Sequence, residues 1–247
     1  MTRRLLLLAA LLLSTPAVAA DFVRSQRKRV RVKKAFKNRD AALRALFASK
    51  EVAYPPRRIF VRIFKKEGEV ELWAGPRTTK LKRVKTYPVC SASGVLGPKR
   101  QQGDEQVPEG FYRIDRFNPV SSFHLSLGLD YPNRSDRILG GRGDLGGDIF
   151  IHGACVSIGC VAITDPLIEE LYVVAVHARG AGQRNIPVHI FPLRMDDEGM
   201  QTLKREAGDS VERLGFWANL REGYTYFETH RRVPRVRVDA KGRYRFR

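Results

Sequence analysis

The chain has 247 residues, 43% of them hydrophobic, which is enough for one substantial core and argues against two independent domains. Its formal net charge of +19 is concentrated at the ends: residues 21–39 hold nine Lys/Arg against Asp21, and residues 231–247 hold eight against Asp239. After the N-terminal leucine run, no stretch approaches the roughly 20 apolar residues of a spanning helix, which excludes a protein with several membrane spans.

The first 20 residues have the pattern of a secretory signal peptide. Two arginines precede an apolar run from Leu5 to Leu13, and small residues end the segment at Ala20. The apolar run is too short for a membrane span. We therefore predict that residues 1–20 are cleaved, that the mature protein is soluble and begins near Ala20 or Asp21, and that it is located in the periplasm.

The rest of the chain predicts a mainly β protein with peripheral helices. Residues 21–56 are expected to form a basic arm followed by a short helix from Asp40 to Ser49, which Asn38 to Asp40 can cap. Alternation of apolar and polar residues, interrupted by Gly and Pro, marks the strands that follow. These strands are predicted at residues 59–64, 69–74, 81–89, 111–115, 124–129, 149–151 and 188–191.

Two long loops and one helix are predicted between these strands. Glycines and prolines indicate a surface loop over residues 94–110 that borders the cleft, and a polar, glycine-rich loop over residues 131–147. Helical spacing predicts a helix from Asp165 to Ala178, with Thr164 as its cap.

The C-terminal region is predicted as a helical extension over residues 195–230 and a basic tail over residues 231–247. Residues 196–213 have a helical, mostly polar pattern, and residues 219–223 are the predicted turn. The export signal argues against nucleic acid as a partner of the two basic ends, and neither end interleaves aromatic residues as a recognition module does. Two interpretations stay open for these ends: attachment to an anionic envelope surface, or solvated and partly disordered termini.

A candidate catalytic pair lies in residues 149–164. His152 follows an apolar strand and Cys160 comes eight positions later, which brings a base and a nucleophile close together in the chain. A thiol reacts as the thiolate, and a neighbouring imidazole can remove its proton. Gly159 lets the backbone approach a substrate, and the N–H groups around Gly159 and Cys160 can stabilise the oxyanion of an acyl-transfer intermediate.

This segment resembles the YkuD-type L,D-transpeptidase catalytic domain, whose signature is a His-Gly followed by Ser/Thr-x-Gly-Cys. Here the signature is His152-Gly153 and Ser157-Ile158-Gly159-Cys160. The short spacing, with Ile158 before Gly159 and Ala162 after the cysteine, is similar to the YafK-like branch of the family. Further similar motifs are Pro108 to Tyr112, Phe123 to Leu127, Tyr131 to Asn133, Gly146 to Ile149 and Phe216 to Tyr224.

The resemblance implies a YkuD-type β-sandwich catalytic domain over residues 57–194 and peptidoglycan stem peptides as substrate. Cys160 would attack the carbonyl at the L-centre of meso-diaminopimelate to form a thioester, with His152 as general acid and base. The YafK-like branch implies hydrolysis of the diaminopimelate-lysine link, which releases Braun-type lipoprotein. Transpeptidation, either 3→3 cross-linking or exchange of D-amino acids, is the alternative within the same chemistry.

The residues around the pair have alternative roles. His124 is expected to orient the substrate or the active-site turn, and a structural role is the alternative. Ser157 can hydrogen-bond to the turn, support His152 or act only as a local cap. Gly153 follows the base directly and completes the supporting set with Gly159.

Three cysteines leave one unpaired in an oxidising compartment, and Cys160 is the expected free thiol. Cys155 can pair with Cys90, remain a buried thiol or lie near the site, and a disulfide between Cys155 and Cys160 is the competing arrangement. Zinc held by these two cysteines with His124 and His152 lacks a recognised ligand spacing. We therefore expect no metal and no organic cofactor.

Two other classes of function have weaker support. Asp144, Asp148 and Asp165 surround the motif, but a carboxylate pair has no specific sequence signal, so wall-sugar hydrolysis is a poor interpretation and Asp148 is expected to order the glycine-rich entrance. The non-enzymatic alternative is an envelope-binding module in which the basic ends bind and Cys160 is inert.

Overall fold

The computed structural model describes residues 16–76 and 78–247, with side chains from residue 21 onward. The predicted signal peptide lies outside the described residues, except for the backbone of residues 16–20, which begins a helix. Within the described part of the chain, no helix combines the length and the apolar character needed to cross a membrane.

Eight strands in the described residues form one curled, mixed sheet, which confirms the predicted mainly β fold with peripheral helices. The strands are β1 (Ile59–Phe64), β2 (Glu69–Ala74), β3 (Lys82–Pro88), β4 (Gly110–Asn118), β5 (Ser126–Leu129), β6 (Phe150–His152), β7 (Val161–Ala162) and β8 (Ile186–Phe191). Their order is β3-β2-β1-β8-β4-β5-β6-β7. The β1–β8 and β6–β7 pairs are parallel, and the other pairs are antiparallel.

Both faces of the central sheet are covered, as β1 shows. Ile59, Val61 and Ile63 belong to the core under the N-terminal helices, whereas Phe64 belongs to the core under the C-terminal extension. Successive side chains of a strand point to opposite faces, so a strand that is buried along its whole length needs a cover on each side. The helix over residues 165–180, with the N-terminal helices packed against it, supplies one cover, and the C-terminal extension supplies the other.

The predicted strands agree with the sheet in number and place, apart from β7. β1 and β2 have the predicted bounds, and β3, β4, β5 and β8 differ only at their ends. β6 is shifted by one residue and therefore ends at His152. β7 escaped prediction because two residues carry no periodic pattern.

The N-terminal basic segment is helical, and a disordered arm is wrong for it. Two helices are present, α1 (Pro16–Arg27) and α2 (Val30–Ser49). α2 contains the predicted helix from Asp40 to Ser49 and begins ten residues earlier, so α1 and the first half of α2 take the place of the arm. Val32, Phe36 and Phe47 of α2 are buried at helical spacing, while most of the lysines and arginines between them are exposed. The apolar stripe was not recognised in the sequence because basic residues are so frequent between its members. Burial of this stripe packs the helix against the core.

Two further helices flank the region of the motif. α3 (Arg134–Leu139) lies inside the loop predicted over residues 131–147, where Asn133 and Asp136 form a capping box. α4 (Asp165–Gly180) confirms the predicted helix after the motif. Thr164 occupies its N-cap position, but the threonine side chain makes no capping hydrogen bond.

The C-terminal extension consists of α5 (Asp197–Ala207) and α6 (Val211–His230). The chain turns at Gly208, which has φ +54°, so the turn predicted at residues 219–223 is wrong. Those residues lie inside α6 because tertiary packing requires them there. A Cβ on Gly223 would lie 2.5 Å from the rings of Phe111 and Phe246, which leaves room only for hydrogen.

The basic tail is also folded. It forms a two-stranded hairpin of β9 (Val236–Val238) and β10 (Tyr244–Phe246). Tyr244 is 1% exposed, and its backbone exchanges two hydrogen bonds with the Asn219 side chain of α6. A solvated, disordered tail is therefore wrong, because aromatic residues within the basic run anchor it to the extension.

Candidate active site

The parallel pairing of β6 and β7 brings Cys160 next to the strand that ends at His152. Ile151 is in register with Val161 and His152 with Ala162. Cys160 comes directly before β7 and therefore lies beside Phe150, whose backbone N–H donates to the Cys160 Sγ at 3.4 Å. The base and the thiol thus lie on adjacent segments of the sheet, two register positions apart, a spacing at which side chains point to the same face.

Cys160 is the free thiol of the chain, as predicted, and its side chain is partly exposed. Burial is the main cause of a raised pKa of the Cys160 thiol, and the charge of Asp148 adds to it. The Phe150 N–H and the more distant Lys99 act in the opposite direction. The resting group is consequently a protonated thiol at neutral pH, and it needs a base at the moment of attack.

His152 is 1% exposed and held in one orientation. Its Nδ1 lies 2.5 Å from the Gly153 carbonyl oxygen, and its ring packs against Phe123 with centroids 4.7 Å apart. Burial lowers the pKa of His152, against the opposing effect of the Gly153 hydrogen bond, so the ring is neutral at pH 7. With Nδ1 donating its proton to Gly153, the neutral ring has Nε2 free as a proton acceptor.

The turn before the nucleophile is closed by two serine hydroxyls. The Cys160 N–H donates to Ser157 Oγ at 3.0 Å, and this hydroxyl donates to the Cys160 carbonyl at 2.7 Å. The Gly159 N–H donates to Ser93 Oγ at 2.6 Å, and Gly159 has φ +111°. Both amides that the sequence suggested for the oxyanion therefore have a hydroxyl partner in this resting arrangement.

A disulfide holds the same turn from outside. Cys90 and Cys155 are bonded, with Cα atoms 5.4 Å apart and 65 positions between them in the chain. This finding selects one of the arrangements that the sequence left open and excludes a Cys155–Cys160 pair. It also removes the Cys155 sulfur from the hypothetical zinc set. No cluster of three His, Cys, Asp or Glu side chains suited to a metal occurs among the described residues.

His124 contacts helix α4 and belongs to the residues that support His152. Its Nε2 lies 3.1 Å from Glu169 Oε1, and its backbone has φ +68°. The neighbouring Phe123 stacks on His152, and the Phe123 carbonyl accepts the Gly153 N–H at 3.1 Å. His124 can thereby order the loop that packs on the base, and a direct role towards substrate stays a prediction.

Gly153 is required by close approach. A Cβ at this position would lie 2.5 Å from Asp165 Oδ1. That carboxylate accepts the N–H of Ala154, at 2.8 Å, and Ala154 itself has φ +59°. Asp165 therefore orders the backbone that follows the base. Asp148, expected to order the entrance, has its carboxylate 2.7 Å from Arg116 Nη1, and its carbonyl oxygen lies 3.6 Å from the Cys160 Sγ.

Four residues of this arrangement were not assigned these supporting contacts from the sequence: Ser93, Phe123, Asp165 and Glu169. Phe123 was visible inside a family-like motif, but nothing showed its contact with His152. Ser93 comes from a loop remote from the motif in the chain, whereas Glu169 lies in the helix directly after the motif, where no local pattern indicated its contact with His124. Only the tertiary fold brings them to the site.

The loop over residues 91–109, between β3 and β4, forms one wall of the site. A buried lysine holds it: Lys65 Nζ donates to the carbonyls of Val95, Gly97 and Val107 at 2.8–2.9 Å and to Glu109 Oε1 at 3.0 Å. The fully buried Glu109 also accepts the indole N–H of Trp217 from α6 at 2.7 Å. The 91–109 loop is thereby fastened to the C-terminal extension.

Comparisons with known proteins identify the family of the chain. The family described as "YkuD: L,D-transpeptidase catalytic domain" matches residues 61–190. A relative from Escherichia coli (strain K12), YafK, whose name assigns it provisionally to the L,D-transpeptidases, is 37% identical over 188 residues, which are 75% of this chain and 72% of YafK.

Solved structures give more distant matches. The helical cell shape determining protein Pgp2 from Campylobacter jejuni has 16% identity and a TM-score of 0.45, with 74% of this chain and 73% of Pgp2 covered. Mycobacterium tuberculosis L,D-transpeptidase 1 has 13% identity and a TM-score of 0.32, with 54% and 62% covered. The sequence matches, which span more than half of the chain, show that it belongs to the YkuD family of L,D-transpeptidase catalytic domains, enzymes that act on peptidoglycan.

Proposed function

We propose that this protein is a cysteine amidase that releases a Braun-type lipoprotein from the wall by hydrolysing its link to the L-centre of meso-diaminopimelate. The observation that carries the cysteine chemistry is the placement of the free Cys160 directly before β7, beside the strand that ends at a neutral His152 whose Nδ1 is engaged by Gly153. The stem-peptide substrate follows from membership of the family. The hydrolytic direction follows from the likeness to the YafK-like branch.

The reaction requires a proton acceptor, because the Cys160 thiol is protonated at rest. His152 Nε2 takes the thiol proton while the sulfur attacks the carbonyl carbon. As the tetrahedral intermediate collapses, the C–N bond breaks, and the imidazolium gives its proton to the departing amine. Water then attacks the thioester, His152 accepts one water proton and returns it to the sulfur, and the diaminopimelate carboxylate leaves.

The oxyanion needs donors at the stage when charge develops on the carbonyl oxygen. The N–H groups of Gly159 and Cys160 become those donors if the substrate oxygen replaces the hydroxyls of Ser93 and Ser157 as their acceptor. Substrate binding and the opening of this closed turn are then the same event. This account makes both serines positioning residues of the nucleophile turn.

Transpeptidation is the second candidate, and the family itself favours it. In that reaction an amine attacks the same thioester in place of water, which gives either a 3→3 cross-link or an exchanged D-amino acid. Cys160 and His152 keep the same roles. The difference between the two reactions lies only in the acceptor that reaches the thioester.

We place the protein in the periplasm, on the strength of the signal-like residues 1–20. We further propose that the basic ends bind the anionic envelope surface. The support is the exposure of most lysines and arginines in residues 21–39 on α1 and α2 and the charge of the C-terminal hairpin. An array of fixed positive charge on folded elements attracts anionic polymers. Retention of the protein on envelope preparations should therefore fall as salt is raised.

The decisive experiment is mass spectrometry of lipoprotein-bearing peptidoglycan after incubation with the protein. The control is Cys160→Ala, and a parallel sample contains an added D-amino acid. Free lipoprotein that ends in an unmodified C-terminal lysine, absent in the control, supports the amidase. Cross-linked or exchanged muropeptides support the transpeptidase instead, and no product that depends on Cys160 favours a non-enzymatic binding module.

A further inference from the structure

A cavity of about 470 Å³ lies between the 91–109 loop and the C-terminal extension. The loop contributes Val95, Leu96 and Pro98, and the start of α6 contributes Val211 and Phe216. We call it the extension groove. Its size is that of a small-ligand or peptide-side-chain site. Two of its members, Val95 and Val211, are 70% and 82% exposed, so the structure leaves apolar surface uncovered there.

The groove is built on rigid supports. Phe216 is followed by Trp217, whose indole N–H is held by the buried Glu109 that also pairs with Lys65. Asn219 lies in its wall and is tied to the backbone of Tyr244 in the C-terminal hairpin. Both walls are therefore fixed before any ligand arrives, which lowers the entropic cost of binding.

The groove adjoins the nucleophile turn through Gln106. This residue lines the groove, and a Cβ on Gly159 would lie 3.4 Å from the Gln106 carbonyl oxygen. The opposite wall belongs to α6 and the hairpin, which lie outside the residues 61–190 matched by the family. The groove thus joins the reacting centre to a part of the chain that the catalytic domain does not contain.

The lining selects a class of ligand. Its apolar members are aliphatic, apart from one aromatic ring among the described lining residues, Phe216, which already has the Arg100 guanidinium over it at 5.1 Å. Sugars bind through stacking on open aromatic faces, and the groove offers no such face. The charged members are Arg100, Arg213 and Arg243 against the one carboxylate of Glu212, so the groove has a positive balance.

We infer that the extension groove binds a polypeptide segment with aliphatic and acidic side chains, the part of the wall-linked protein that precedes the C-terminal lysine whose amine is released from the thioester site. This inference rests on the proposed function, which identifies the leaving group as the wall-linked protein. It adds the site that recognises this leaving group. The inference explains why the groove lies next to the nucleophile turn and why the extension forms one of its walls.

Binding is tested separately from catalysis with Cys160→Ala protein. The probe is a short fluorescein-labelled peptide of alternating leucine and glutamate, and its anisotropy is followed as protein is added. A peptide in which serine replaces every leucine keeps the charge and removes the aliphatic side chains. We expect saturable binding of the first peptide and binding at least about tenfold weaker of the second, as loss of anchor side chains commonly produces.

The chain offers a matched pair of variants. Val211 and Val30 are each the first residue of a 20-residue helix and are 82% and 84% exposed, but only Val211 lines the groove. Val211→Asp and Val30→Asp change the net charge equally and place a carboxylate where a helix dipole favours it. We expect Val211→Asp to weaken peptide binding by about tenfold or more and Val30→Asp to leave it unchanged.

A second pair tests the charge. Arg213→Glu with Arg243→Glu removes two groove cations, and Arg205→Glu with Arg237→Glu removes two exposed cations elsewhere. Only the first pair should weaken binding. Equal effects of the two pairs, or of the two valine variants, would overturn the inference, because binding would then follow net charge alone.

The inference and the proposed function fail in different ways. Peptide binding that depends on Val211, with no lipoprotein release by the active protein, keeps the groove and rejects the amidase. Release of lipoprotein that Val211→Asp leaves unchanged rejects the groove and keeps the amidase. Soluble glycan strands or anionic vesicles that displace the peptide from the groove would overturn its assignment to a polypeptide.

Discussion

His152 and Cys160 are supported from opposite ends of the chain and by different kinds of interaction. On the histidine side, Arg39 of α2 pairs with Glu169, which in turn holds His124 next to the Phe123 ring that packs on His152. On the cysteine side, Lys65 and Glu109 fasten the 91–109 loop, and Trp217 of α6 joins them. Each support includes a residue outside the segment that the family matches.

The two supports differ in their contact with water. The side chains of Lys65 and Glu109 are 6% and 0% exposed, whereas that of Arg39 is 27% exposed beside Glu169 at 6%. A buried ion pair is expensive to break, because removal of one partner leaves a desolvated charge. A pair at the surface contributes less and is screened by salt. The cysteine side is therefore expected to be rigid, and the histidine side adjustable.

The largest effect on activity is expected at His152, the residue that the histidine-side support holds in place. His152→Gln should lower kcat/KM by about 10²–10⁴-fold, because the protonated thiol loses its base. In the unmodified protein, kcat/KM should hold from neutral pH down to below 6.5, since burial lowers the pKa of His152, and then fall as the ring becomes protonated.

The dependence of kcat/KM on pH, followed with the product assay, measures this fall at acid pH, and His124→Gln is the control. A fall that begins above pH 6.5, or one that is absent in His124→Gln, would show that a different group is the base. The profile therefore separates the reacting histidine from the one that supports it.

The largest effect on stability is expected on the cysteine side. Lys65→Met removes every hydrogen bond that the ammonium group donates and leaves Glu109 buried without its cation, which should cost about 3–5 kcal/mol in the free energy of unfolding. Urea unfolding measures this loss. Adding Glu109→Gln should recover part of the loss, because no unpaired charge then remains.

Lys82→Met is the matched control. Lys82 pairs with Glu51 at the surface, where the side chains are 51% and 85% exposed. Its loss should cost much less than the loss of Lys65, because solvent screens an exposed pair. If Lys65→Met and Lys82→Met destabilise the protein equally, the buried pair is not the fastening that the comparison assumes.

Loss of the disulfide should have the next largest effect. Cys90→Ser with Cys155→Ser opens a loop closed over 65 positions and should lower the free energy of unfolding by about 2–4 kcal/mol. The same change should follow when the unmodified protein is treated with a reductant. Reductant should not destabilise the double variant further, and any additional loss would mean that another bond is being reduced.

The smallest effect is expected on the histidine side. Arg39→Gln should lower the free energy of unfolding by about 1 kcal/mol at low salt and by less at high salt, because the pair is partly exposed. Unfolding at two salt concentrations tests this difference. A salt-independent loss as large as that of Lys65→Met would erase the contrast between the two supports.

Local pattern was sufficient for most elements of the sheet. β1 and β2 were predictable from alternation alone, and α4 from its spacing and the residues that end it. The same approach failed for the first half of α2, where lysines and arginines outnumber the apolar stripe, and for α6, where Gly223 suggested a turn. In both places packing against another part of the chain overrides local preference.

By itself, the sequence determined the family, the identity of Cys160 as the unpaired cysteine, and the candidate catalytic pair of His152 and Cys160. These depend on residues that are close together in the chain. The tertiary structure decided what holds them: the Cys90–Cys155 bond, the Ser93 hydroxyl on the nucleophile turn and the two terminal supports. Such contacts join segments far apart in the chain. Their partners are chosen by the shape and polarity of the packed fold, which no local pattern contains.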